Sequence, residues 1–90
     1  MIQALHRQIS RDREQLLARR GITVSAIQLF EKLPKHSVIT MPLVTRLLGV
    51  SKPTAGKAIE LLIDAGLLEE IGQRKRDRMY RYGSYLRLLD

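Results

Sequence analysis

Apolar residues in this chain recur mostly at helical spacing. From residue 2 to about residue 20, Ile2, Leu5, Ile9 and Leu16 fall near heptad spacing in a helix-forming context, and Gly21 stands where a left-handed cap would close the helix. The stripe is thin. Asp12 and Arg13 interrupt it, which predicts a helix docked on other elements and not a self-standing coiled coil. Ser25 is the expected cap of a second helix, with Ala26, Leu29, Phe30 and Leu33 at i, i+3, i+4 and i+7 and Pro34 ending it. The β-branched stretch Ser37-Val38-Ile39 predicts one short strand, and Thr40 then caps a third helix that tolerates Pro42 in its first turn. Val44, Leu47 and Leu48 form that helix's expected buried stripe.

Gly49 supplies a turn conformation, Val50 plugs the core and Ser51 caps a fourth helix over about residues 52–65. Its buried face is Ala55, Ala58, Ile59 and Leu62, and Gly66 closes it. The runs LLEEI and MYRY, joined by the charged GQRKRDR, read as a hairpin whose turn is long enough to project. Tyr80 and Tyr82 are expected to cover the core beneath it, and Ser84 is the expected cap of a last helical turn carrying Tyr85, Leu86 and Leu89. The fold class that follows is mainly α with a small β-hairpin. It is a winged helix-turn-helix over residues 22–90, preceded by an N-terminal linker helix over residues 1–21.

Composition narrows the function classes. Ninety residues with 44% hydrophobic content build one modest core, which leaves little room for an enzyme that encloses its substrate. There are no cysteines, and the two histidines, His6 and His36, lack partners at metal-ligand spacing, so disulfides, structural zinc and other cofactors are not expected. Neither histidine stands with a nucleophile or carboxylate arranged for catalysis. No apolar run approaches the roughly 20 residues that span a bilayer, and nothing at the N-terminus reads as a secretory signal, so a cytoplasmic protein with no membrane partner is expected.

The net charge of +7 suits a polyanion, and its distribution says more than its sum. Residues 51–71 carry about −2 and residues 72–90 about +4, with Lys52 and Lys57 gathered at the start of the fourth helix ahead of Glu60, Asp64, Glu69 and Glu70. Ser51, Lys52, Thr54, Gly56 and Lys57 make a slim, polar, cationic tip suited to a major groove about 12 Å wide. Thr40, at the start of the bracing helix, joins the candidate contact set. Arg74, Lys75, Arg76 and Arg78 load the hairpin loop around the single Asp77 and suit backbone phosphates or a narrow minor groove. The expected partner is double-stranded DNA. The competing reading of these charges is a solvated surface on which Lys57 pairs with Glu60 one helical turn away.

The segment from about Ala26 to Leu89 resembles the winged-helix domain at the C-terminus of many bacterial Fic-family proteins. The residues that carry the resemblance are VIT at 38–40, LLGVSKPTAGKAIELLIDAGLLEEI at 47–71, GQRKRDRMYRY at 72–82 and YLRLL at 85–89. RQISRDREQLLARR at 7–20 is similar to the helix that joins the catalytic domain to the winged helix in such proteins. The family's AMP-transfer loop, of type His-Pro-Phe, acidic residue, Gly-Asn-Gly-Arg, does not occur here. The resemblance therefore implies a regulatory DNA-binding module and no catalysis by this chain. A second reading is a protein-interaction module that regulates a Fic catalytic domain, attached or separate, or forms a homodimer through the N-terminal helix.

Overall fold

The computed structural model describes residues 2–72, 76 and 78–89. The element order is α1 (Ile2–Ala18), α2 (Val24–Lys32), β1 (Val38–Thr40), α3 (Met41–Leu48), α4 (Lys52–Asp64), β2 (Glu69–Ile71), β3 (Met79–Arg81) and α5 (Gly83–Leu89). It is a mainly helical winged helix-turn-helix. The three short strands form one antiparallel sheet in the order β1-β3-β2, so the hairpin is widened by β1, which pairs Ile39 with Tyr80 on the far side of β3.

Capping explains most of the boundaries. Thr40 and Ser51 cap α3 and α4 through their hydroxyl oxygens, which accept from the amides of Leu43 and Thr54, and each helix carries its proline in the first turn. Between the two helices Gly49 adopts φ 65°, the left-handed conformation that reverses the chain within one residue. Three expectations shift. The cap of α2 is Thr23 and not Ser25, because the Thr23 hydroxyl accepts from Ala26 N at 3.1 Å and the helix opens at Val24. The first strand lies one residue later than Ser37-Val38-Ile39. The last helix begins at Gly83, so Ser84 sits inside it, and its hydroxyl turns to Asp12.

Leu29, Phe30, Leu33, Ile39, Val44, Ala55, Ala58, Ile59, Leu62, Leu67 and Tyr82 form the core beneath the sheet, and α2 lies across α4 in its broadest helix contact. Val44 is the buried residue of α3, whereas Leu47 and Leu48 are half-buried; α3 packs chiefly against α2, α4 and β1. Helix α1 enters the core through Leu16, which is fully buried, and packs on α5 and α2. Asp12, an interruption in the sequence pattern, is a buried hub: Tyr82 Oη donates to its carboxylate at 2.5 Å, Ser84 Oγ at 3.2 Å and Gln8 Nε2 at 2.9 Å. Burial, reinforced by the hydrogen bond to Asp12 and by its negative charge, pushes the Tyr82 phenol far above its ordinary pKa.

Candidate nucleic-acid interface

The tip of α4 is anchored by the helix's buried face and left open. Ala55, Ala58, Ile59 and Leu62 bury one face of the helix, which turns Lys52, Thr54 and Lys57 outward, and all three are exposed. Ser51 is exposed as well, but its hydroxyl is engaged: it accepts from Thr54 N at 3.4 Å and donates to Thr54 Oγ1 at 3.1 Å. That mutual contact fixes the Thr54 rotamer at the helix start. Thr40 is half-buried and spends its hydroxyl on capping α3, so it supports the tip and is not a free contact.

Gly56 is half-buried on the flank of α4 that faces α3, where an added Cβ would lie 3.4 Å from the terminal methyl of Met41. That is ordinary van der Waals contact with a flexible group, so packing does not demand a glycine there. A glycine inside a helix costs about 1 kcal/mol relative to alanine.

Among the described residues Lys52 and Lys57 form no ion pair, and the pairing of Lys57 with Glu60 is not present. The ion pairs that do form lie elsewhere. Arg13 meets Glu31 at 2.8 Å between α1 and α2, and Glu69 accepts from Arg81 at 2.7 Å and faces Arg87 at 3.5 Å. Arg81 is exposed, on the face of β3 opposite the buried Tyr80, and fastens β3 to β2 across the sheet.

The wing is built from the other end of the sheet. Met79 pairs with Thr40 on one side and Ile71 on the other, so Arg78 leaves the ladder directly from its anchored edge. Arg76 and Arg78 are exposed, while Arg74 and Lys75 lie outside the described residues. Tyr80 and Tyr82 are buried and serve the core; Tyr82 meets Phe30 edge-on at 5.8 Å and stacks on Tyr85 at 5.3 Å. The tip and the wing share one surface feature, an open concavity of about 340 Å³ lined by Met41, Pro42, Lys52, Arg78 and Tyr80. Its lining joins apolar side chains to two cations. Sequence reasoning placed Lys52 and Arg78 in two separate contact groups; their meeting depends on the pairing of β1 with β3, which no local signal announces.

Helix α1 packs on α2 and α5, and the exposed residues of the α4 tip remain uncovered. No described helix is long and apolar enough to cross a membrane. No group of three or more His, Cys, Asp or Glu residues gathers among the described residues.

No family model matches the chain, and no curated protein matches it. Among solved structures, the chain is similar to the crystal structure of RV1404 from Mycobacterium tuberculosis, at 17% identity and a TM-score of 0.61. The alignment covers 96% of this chain and 63% of that one, so the chain spans under two thirds of its structural neighbour. At that identity the likeness concerns the fold.

Proposed function

We propose that this chain is a DNA-binding module, with α4 entering the major groove and the wing resting on the sugar-phosphate backbone. The observation that carries the reading is the concavity in which Lys52 from the helix tip and Arg78 from the wing base line one surface. A helix-turn-helix needs its groove-entering end and its backbone-gripping wing on the same side of the molecule, because the duplex presents groove and flanking phosphates together. In this reading Thr54 and Lys57 reach base edges, where a threonine methyl contacts thymine and a lysine donates to guanine O6 and N7. The arginines of the wing supply affinity, with little sequence preference of their own.

In this reading the later half of α4, with the exposed Glu60 and Asp64, stays clear of phosphates. The module binds and does not catalyse, works in the cytoplasm, and acts as the regulatory C-terminal unit of a Fic-type protein. That last assignment rests on the SKPTAGKAIE run and the basic wing.

A titration of mixed-sequence duplex against monovalent salt tests the core of the proposal. Neutralising about five phosphates gives a slope of log affinity against log salt near −4 to −5. A flat response, or no binding at low salt, defeats it.

A further inference from the structure

The surface shared by tip and wing has a more specific chemistry than a diffuse cationic patch. Its apolar lining is Met41, Pro42 and Tyr80, and its cations are Lys52 and Arg78. Both cations are exposed, and neither has an ion-pair partner among the described residues. Both are anchored at their backbones. Lys52 opens α4 directly after the Ser51 cap, and Arg78 adjoins Met79, which is hydrogen-bonded into the sheet on both sides.

Two like charges converging on one concavity repel, and one anion between them relieves the repulsion. A deoxyribose-phosphate fits both halves of the surface: the phosphate answers the two cations, and the weakly polar face of the sugar rests on Met41, Pro42 and Tyr80.

We propose that this concavity is a subsite for a single DNA phosphate, held jointly by Lys52 and Arg78, and that it sets the depth at which α4 enters the groove. The inference rests on the DNA-binding reading above and adds to it that tip and wing share one phosphate and do not grip two. A shared phosphate couples the position of the wing to that of the recognition helix, so the two dock as a unit.

The test is the salt dependence of duplex affinity for the protein and for Lys52→Gln, Arg78→Gln and the double variant, all measured on the same mixed-sequence duplex. Each neutralised phosphate contributes about 0.9 to the magnitude of the slope. If one phosphate is shared, either single variant leaves it partly neutralised and loses well under 0.9, and the double variant loses about 0.9. Two equal single losses of about 0.9 that sum to about 1.8 overturn the shared subsite and leave DNA binding standing. A double variant with an unchanged slope overturns the subsite as well. An unmodified protein whose affinity ignores salt overturns both the subsite and the function it rests on. Both side chains are exposed, so an unchanged melting temperature confirms that the variants report on binding alone.

Discussion

The least expected residue in the chain is Asp12, a buried carboxylate that forms no ion pair among the described residues and is satisfied instead by Tyr82, Ser84 and Gln8. Such a group is tolerable only while its donors stay in place, because an unpaired buried polar atom costs about 1–3 kcal/mol. Tyr82 is the donor that matters most, since it also fills the core against Phe30 and Tyr85. Tyr82→Phe keeps the ring and removes the hydroxyl, so it is expected to lower stability at pH 7 by roughly 1.5–3 kcal/mol in denaturant unfolding. The same residue gives stability an alkaline limit. In the unfolded chain the phenol titrates near 10, while in the folded protein it holds its proton to higher pH. Below pH 10 both states carry the proton and the contribution is complete. Above pH 10 the unfolded state releases it first, and stability falls with rising pH. Melting temperatures taken from pH 8 to 11 should therefore drop more steeply for the unmodified protein than for Tyr82→Phe; parallel curves would refute the assignment.

At the scale of elements, α1 joins the core chiefly through one fully buried apolar residue. Leu16 is fully buried and Leu17, its neighbour, is 56% exposed. Leu16→Ala is expected to cost about 2–5 kcal/mol and Leu17→Ala under about 0.5 kcal/mol, read from denaturant midpoints; equal small losses would show that the helix is not docked in solution. This element also marks where the sequence stopped being legible. The apolar set of α4 and the caps at Thr40 and Ser51 are local features, complete within a few residues, and they appear in the structure where the pattern places them. Asp12 reads as a defect in α1 because two of its three partners, Tyr82 and Ser84, lie 70 and 72 residues away, and no periodicity within a helix reports contacts of that range. The same holds for β1. Three residues are too short to reveal which strand they will join, and the partner, β3, lies some forty residues on. The error at α2 has a different origin: Thr23 and Ser25 are both good caps, and the choice between them depends on where the chain leaves the turn at Gly21, which has φ 78°.

For the whole molecule the question is whether a net charge of +7 acts as a cloud or as an arrangement. A cloud would attract any polyanion through whichever face presents itself, and the loss of any two cations would weaken binding equally. The arrangement predicts a hierarchy. Lys52 and Lys57 stand on the exposed tip of α4, while Arg7 and Arg11 stand on the exposed face of α1, a helix that packs against α2 and α5. Neither pair forms ion pairs among the described residues, so reversing them disturbs the fold little and changes the net charge by the same amount. Lys52→Glu with Lys57→Glu should weaken affinity for mixed-sequence duplex at moderate salt by at least tenfold more than Arg7→Glu with Arg11→Glu. That factor corresponds to about 1.4 kcal/mol, well within what two groove or phosphate contacts supply. Equal losses would mean that the charge works only in bulk, and that the tip of α4 has no special claim on the duplex.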